Sequence, residues 1–289
     1  DFHQEQSMII IMEYVKNGTL ERILEAERYK ITIDEWNETI KLINIYGIAS
    51  AVLYLHKHNI LNLDIKPLNI LIDDFIFPKL CDFSISIKID NKNKQIQFGG
   101  TIPFIAPEVC NRSNCTCKSD VYSFGILLYI MKYKKVPFEN MNMIQYSLSI
   151  AIKKERLRLD NSFPQVYNNL IKSCWDDDPD KRPTFDFIIN ELEHNKEFIT
   201  NGVVENLYKK FIDVIKSELQ NEELMKNFPP KNLNELYRLK KKEIIDSPDT
   251  SYTMYNYLNE SFVNEFENMN ETSVIERSSE STISVYQSI

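Results

Sequence analysis

Residues 62–69 read Asn62-Leu63-Asp64-Ile65-Lys66-Pro67-Leu68-Asn69 and lie between a long apolar stretch and a short β-type segment. Two further motifs follow in order: Asp82-Phe83-Ser84 begins 18 residues after Asp64, and Ala106-Pro107-Glu108 comes next. Each motif alone is a weak signal, but the order and spacing suit one chemistry. Phosphoryl transfer needs a carboxylate to orient a hydroxyl, and hard oxygen ligands to hold Mg²⁺ against a triphosphate. Asp64, Asn69 and Asp82 supply that set.

The apolar pattern around these motifs predicts a largely helical chain with little sheet. Apolar residues at helical spacing predict one buried helix over 34–56, and Thr32 with Glu35 has capping-box spacing at its start. From residue 119 onward the pattern is again helical. The remaining predicted elements are a short helix over 20–27, strands near 8–12, 60–61, 69–72 and 78–81, an amphipathic helix over 203–219 and a further helix over 233–245.

Composition excludes several classes of partner. The 42 acidic against 34 basic residues give a formal net charge of −8, which leaves no clustered positive charge for nucleic acid or an anionic membrane surface. No apolar run reaches the roughly 18 residues that span a bilayer. Five Cys, an odd number at irregular spacing, indicate a reducing compartment, and we expect a cytoplasmic protein.

Three of the cysteines, Cys110, Cys115 and Cys117, lie close together in the sequence and raise the alternative of a zinc site. No fourth Cys or His lies nearby to complete the coordination shell of a structural zinc. The segment also reads as a polar loop, which is the interpretation we favour.

The three motifs together resemble the catalytic loop, metal loop and activation segment of a eukaryotic protein kinase. The resemblance covers roughly residues 5–197. It includes Lys118–Gly125, similar to the start of the large central helix, and Cys174-Trp175 with Arg182-Pro183-Thr184, typical of the tyrosine-kinase-like group. It implies an α+β fold that is mostly α here: a helical kinase C-lobe with a remnant of the N-lobe sheet.

The resemblance also implies site residues and cofactors. Asp64 corresponds to the catalytic Asp and Lys66 to the phosphate-contacting Lys, while Asn69 and Asp82 correspond to the Mg²⁺ ligands of an ATP-dependent enzyme.

The same resemblance assigns the adenine-binding site to other residues. Met12 would be the gatekeeper, and the backbone of Glu13 and Val15 would pair with adenine. Leu71 would form the floor beneath the ring.

The resemblance also assigns structural roles to some residues, and others indicate which substrate residue accepts the phosphate. Asp120 would hold the catalytic-loop backbone, and Arg182 would pair with Glu108. Lys66, two residues after the catalytic Asp, together with Gly100-Thr101, favours a protein substrate with a Ser or Thr acceptor.

Two departures lie within the motifs. Asn62-Leu63 stands where the family has His-Arg, and residues 87–100 contain no Ser, Thr or Tyr. Since that Arg normally receives a loop phosphate, we expect that phosphorylation of this loop is not the switch. Ser84 stands where the metal loop has Gly, and a side chain at positive φ would cost about 1 kcal/mol there.

We expect four parts: an N-lobe remnant and hinge (1–15), a kinase C-lobe (16–197), a helical extension (198–247) and a disordered, acidic, Ser-rich tail (248–289). None of the six Gly forms a phosphate-covering loop. Ala151-Ile152-Lys153 mimics the ATP-lysine motif but comes long after the catalytic loop.

The leading interpretation is therefore a protein Ser/Thr kinase that lacks most of its N-lobe and is inactive as this chain. The alternative is a pseudokinase or scaffold that binds partners through the C-lobe and the C-terminal helices. A Gly-rich loop and a strand Lys encoded upstream would favour the enzyme.

Overall fold

The computed structural model describes residues 14–33, 35–89, 100–111 and 115–219, and within them the chain is mostly helical with little sheet. The strand predicted near 8–12 and the helix predicted over 233–245 lie outside the described residues. The α-helices in the described part are α1 (Leu20–Arg28), α2 (Glu38–Lys57), α3 (Pro107–Cys110), α4 (Cys117–Tyr133), α5 (Met143–Ser147), α6 (Gln165–Cys174), α7 (Phe185–His194) and α8 (Glu205–Leu219). The strands there are β1 (Ile60–Leu61), β2 (Ile70–Ile72), β3 (Pro78–Leu80) and β4 (Ile87–Lys88). A π-helical segment, Leu148–Ile152, continues α5 and carries the false ATP-lysine motif.

Helix α2 forms the centre of the core. It packs against α4, α7, α8 and β3, and nearly every residue from Thr39 to Leu53 is buried. Its length and mean hydropathy of 1.2 would suit a membrane span, but 78% of that apolar window is buried inside the domain. A helix that is apolar on all sides and covered by neighbouring elements is a core helix.

The start of α2 differs from the prediction. The helix begins at Glu38 rather than at 34, and its N-cap is Asn37, whose side chain accepts a hydrogen bond from the Ile40 amide at 3.1 Å. Asn is a strong N-cap residue. The segment before it is held outside the helix by a tertiary contact, because Trp36 Nε1 donates to Glu27 Oε2 at 3.1 Å.

The four strands form two antiparallel pairs, β1 with β4 and β2 with β3. The strands predicted at 60–61, 69–72 and 78–81 are confirmed. Residues 62–69 connect β1 to β2, and residues 81–86 connect β3 to β4. Both chemically informative loops therefore run between the same two strand pairs.

A buried ion pair ties α3 to the segment before α7, as predicted. Arg182 Nη1 and Nη2 each lie 2.8 Å from a carboxylate oxygen of Glu108, and Arg182 is buried. Burial raises the pKa of Glu108, but the hydrogen bonds and charge of Arg182 outweigh burial and hold it below its usual value. Arg182 therefore favours the ionised form of Glu108 although that carboxylate is largely buried.

Helix α8 belongs to this core. Phe211 packs edge-on against Tyr46 of α2 (ring centroids 6.1 Å apart) and against Phe77 at 4.9 Å. Gly47 allows β3 to approach α2 beside this ring, because a Cβ there would lie 2.8 Å from Pro78 Cγ, whereas its 3.5 Å distance to Phe211 would be an ordinary contact. The amphipathic helix predicted over 203–219 is confirmed, and it covers α2 beside β3.

The variant Phe211→Ala tests whether α8 is part of the core. We expect it to lower the free energy of unfolding by about 3–5 kcal/mol, because it removes a buried aromatic ring and leaves a cavity. Urea denaturation measures the change. The matched control is Lys209→Ala on the same helix, which loses only an exposed ion pair to Glu205 and should leave the free energy of unfolding nearly unchanged. Equal costs for both variants would show that α8 is only a surface attachment.

Candidate active site

The backbone at the start of the loop 62–69 is held by one buried carboxylate. Leu63 has φ +64°, a left-handed conformation that costs a non-Gly residue about 1–2 kcal/mol. Asp120, fully buried on α4, accepts the Asn62 amide on Oδ2 at 2.9 Å and the Leu63 amide on Oδ1 at 2.8 Å. The predicted structural role of Asp120 is confirmed.

His56 is a residue whose role the sequence did not reveal. Its Nε2 lies 2.8 Å from Asp120 Oδ2, so the last turn of α2 also contacts the loop anchor. Burial lowers the pKa of His56, but its hydrogen bonds to Asp120 and Cys117, together with the electrostatic interactions with both groups, raise it to about 9. The sequence placed His56 only at a helix end, where a cation suits the dipole.

Asn62 fits the loop although it departs from the family pattern. It is buried, its Oδ1 accepts the Asp64 amide at 3.1 Å, and its carbonyl accepts from the Ser86 hydroxyl at 3.0 Å. An Asn side chain that binds the backbone two residues ahead is a common way to stabilise a tight turn. This departure therefore supports the loop conformation locally.

Three polar side chains, those of Lys66, Asn69 and Thr101, contact the Asp64 carboxylate. Its Oδ2 accepts from Lys66 Nζ and from Asn69 Nδ2, both at 2.7 Å. Its Oδ1 accepts from the Thr101 hydroxyl at 3.2 Å, and Lys66 Nζ also donates to Thr101 Oγ1 at 2.8 Å. The sequence linked Thr101 only to the type of acceptor, so its direct contact with Asp64 and Lys66 is new.

Asp82 approaches this cluster through the pairing of β2 with β3. The Cys81 amide donates to the Asn69 carbonyl at 3.0 Å, so Asp82 follows directly after a residue bound to Asn69. Hydrogen bonds from Ser84, followed by the charge of Lys66, keep the pKa of Asp82 below its usual value. Asp82 is therefore an exposed, ionised carboxylate within the electrostatic reach of Lys66.

The expected strain at Ser84 was wrong. The left-handed residue of this loop is Asp82, with φ +58°, and Ser84 is not among the residues with positive φ. Asp tolerates this conformation better than most residues, and its Oδ1 accepts the Ser84 amide at 3.1 Å. The Ser in place of Gly therefore carries no left-handed penalty.

The predicted adenine residues are described only in part. Met12 and Glu13 lie outside the described residues. Leu71 lies on β2 and bridges to Thr19, while the Ile72 amide donates to the Gly18 carbonyl at 2.8 Å. The Gly18 amide in turn donates to the Val15 carbonyl at 3.3 Å. The segment after Val15 thus runs along β2, on which Leu71 lies.

Asn69 and Asp82 have the donor chemistry that Mg²⁺ prefers, an amide oxygen and a carboxylate. Both hydrogen bonds from the Asn69 side chain use its amide nitrogen, which leaves the amide oxygen for a cation. No group of three His, Cys, Asp or Glu that could hold a metal occurs in the described part of the chain. Cys110, Cys115 and Cys117 form no such group among the described residues, and all five cysteines are free thiols.

The variant His56→Gln tests the contact with Asp120 through its pH dependence. Because the folded-state pKa is raised from 6.5 to about 9, the contribution of His56⁺ to stability is complete below pH 6.5 and is lost as pH rises through 9. We expect the free energy of unfolding of the wild type to exceed that of the variant. This difference should decrease by about 2–4 kcal/mol as the pH rises over this range. Urea denaturation at several pH values measures it. His58→Gln, at the same helix end, controls for loss of an imidazole, and an identical pH dependence in wild type and His56→Gln would refute the contact.

Comparison with known proteins places this geometry in a family. The protein kinase domain family matches residues 1–194. The chain is 33% identical over 195 residues to the serine/threonine/tyrosine-protein kinase HT1 of Arabidopsis thaliana, covering 67% of this chain and 49% of that protein. It is 32% identical over 192 residues to the serine/threonine-protein kinase CTR1 of the same plant, which covers 65% of this chain and 23% of that protein. It is 30% identical over 187 residues to the mitogen-activated protein kinase kinase kinase 13-B of Xenopus laevis, which covers 64% of this chain and 18% of that protein.

The match spans about half or less of the length of each of these relatives. The family match over residues 1–194 includes the loop 62–69, the Asp82 loop and the Glu108–Arg182 ion pair. The chain therefore belongs to the protein kinase family, and it is similar to kinases of the tyrosine-kinase-like, Ser/Thr type.

Proposed function

We propose that this chain carries the phosphoryl-transfer site of an ATP-dependent protein Ser/Thr kinase. The observation that supports the proposal is the hydrogen-bonded cluster of Asp64, Lys66, Asn69 and Thr101, with Asp82 brought beside it by the β2–β3 pair. A retired site has no physical reason to keep these polar groups in mutual contact, so the cluster favours the enzyme over a scaffold.

Asp64 would orient the acceptor hydroxyl. Its Oδ2 accepts hydrogen bonds from Lys66 and Asn69, whereas Oδ1, among the described residues, accepts only the longer 3.2 Å bond from the Thr101 hydroxyl. A substrate hydroxyl can bind the same oxygen as the Thr101 hydroxyl does. The carboxylate would then align the alcohol and accept its proton as the oxygen–phosphorus bond forms and the bond from the γ-phosphorus of ATP to the ADP leaving group breaks.

Lys66 would contact the transferred phosphate. Its ammonium lies between Asp64 and Thr101, so it can interact with negative charge that arrives next to the acceptor. Fixed positive charge at the place where phosphoryl oxygens gather is the main way in which such sites lower the barrier.

Mg²⁺, when bound, would neutralise the charge of the triphosphate, and Asn69 and Asp82 are the residues we propose to hold it. The low pKa of Asp82 keeps that carboxylate available as a ligand. Val15 and Leu71 would line the adenine side, together with Met12 and Glu13.

A Ser or Thr acceptor is the finer part of the proposal. Lys66 and Thr101 support it, because their contact places a cation and a small hydroxyl next to Asp64. We also propose a cytoplasmic location, supported by the five free thiols. The expectation that residues 1–289 alone are inactive stays a prediction.

The variant Asp64→Asn tests the proposed function. In the natural protein that carries these residues, we expect phosphate transfer from ATP to Ser and Thr peptides to fall by about 10²–10⁴-fold, because the group that aligns the hydroxyl and takes its proton is lost. Radiolabelled phosphate incorporation measures the rate. Asp186→Asn, at an exposed position on α7, is the matched control and should retain the wild-type rate.

Two results would count against this assignment. Transfer at the wild-type rate by Asp64→Asn would exclude the proposed role of this carboxylate. No transfer by the wild type, with the folded state intact, would favour the scaffold.

A further inference from the structure

A cavity of about 170 Å³ opens directly beside the proposed transfer site. Lys66 and Thr101, which both contact Asp64, line one side of it. Helix α1 forms another side through Glu21, Leu24 and Glu25. A group in this cavity would therefore lie next to the acceptor hydroxyl, on the same side of Asp64 as Thr101.

Most of the remaining lining is apolar and partly uncovered. Leu68 and Val136 line the cavity and are 48% and 38% exposed, and Pro67, Pro103 and Ile130 continue the apolar surface. Apolar surface of this kind suits the aliphatic stem of a long side chain, which can pack there while its polar head remains at the rim.

The charges around the cavity are unbalanced. Each cation that lines it has an acidic partner: Lys66 pairs with Asp64 at 2.7 Å, Arg28 with Glu139 at 3.2 Å, and Lys134 with Glu27 at 2.9 Å. Glu21 and Glu25 also line it, and neither forms an ion pair with any of the described residues.

The two unpaired carboxylates affect each other. Glu21 and Glu25 are half-buried and one turn apart on α1, a spacing at which like charges destabilise a helix. Burial and then the charge of Glu25 raise the pKa of Glu21, and the charge of Lys66 opposes this only in part. A cation placed between them would relieve the repulsion.

We propose that this cavity binds the side chain of an Arg or Lys that belongs to the same substrate polypeptide as the acceptor hydroxyl. The stem would pack on the apolar wall, and the charged head would be held by Glu21 and Glu25. The inference rests on the proposed function, because it takes the substrate to be a polypeptide that reaches Asp64. It adds the substrate class: a protein with a basic residue close in sequence to its Ser or Thr.

Paired peptides test the proposal without any need for catalysis. A single Arg is placed in turn at each of four positions on either side of one Ser, and each peptide is matched by one with citrulline, which keeps the shape of Arg and removes its charge. Fluorescence anisotropy measures binding to the full chain. We expect the Arg peptide to bind about tenfold more tightly than its citrulline partner at one or two positions.

Variants then assign the preference to the cavity. Glu21→Gln with Glu25→Gln should abolish the Arg preference, and Glu197→Gln, an exposed carboxylate that does not line the cavity, should preserve it. Circular dichroism confirms that the variants are folded. The preference should also weaken as salt rises, because half-buried charges are partly screened.

Three outcomes overturn the inference. Arg and citrulline peptides could bind equally at every position, or the Arg preference could survive in the double Gln variant. A peptide with norleucine in place of Arg could also bind as tightly as the Arg peptide. An Arg preference that depends on Glu21 and Glu25, in a protein that transfers no phosphate, would support the cavity assignment while the proposed function fails.

Discussion

The carboxylate of Asp120 is the point on which the proposed site depends. It is fully buried on α4, and it binds two successive amides of the catalytic loop and the imidazole of His56. The amides of Asn62 and Leu63 meet the two oxygens of this carboxylate, and Leu63, the second of these residues, adopts a left-handed conformation. The conformational cost is offset by charge-assisted hydrogen bonds in a buried environment, where such bonds are strong.

From this anchor the site is assembled by short-range geometry. Asn62 turns the chain so that its side chain binds the Asp64 amide, and Asp64 then gathers Lys66, Asn69 and Thr101. The β2–β3 pair brings in Asp82 through the bond between Cys81 and Asn69. The two short antiparallel strand pairs thus position these side chains. The helices packed around α2 and α4 form the core that supports the strands. Sites held by rigid elements keep the small tolerances that phosphoryl transfer requires.

The ordered motifs predicted the family and the short strands, because the kinase family carries these carboxylates and this amide in a characteristic order along the chain. The roles of Asp120 and of the Arg182–Glu108 pair were predicted as well. Contacts between distant segments were harder to foresee. Thr101 reaches Asp64 across 37 positions and His56 reaches Asp120 across 64, and no local pattern encodes either approach. The helix start was misplaced because a capping-box spacing at Thr32 competed with the stronger Asn37 cap. The strain assigned to Ser84 falls on Asp82, because a backbone conformation cannot be derived from a family position alone.

Amide hydrogen exchange in wild type and Asp120→Asn, resolved by residue with NMR, tests the central claim most directly. If Asp120 holds the loop, the amides of Asn62 and Leu63 are protected in wild type and exchange at least about tenfold faster in the variant, while the amides of Ile70 and Ile72 in β2 keep their protection. Unchanged exchange at Asn62 and Leu63 in the variant would contradict the account, because the loop would then owe its conformation to something other than this carboxylate.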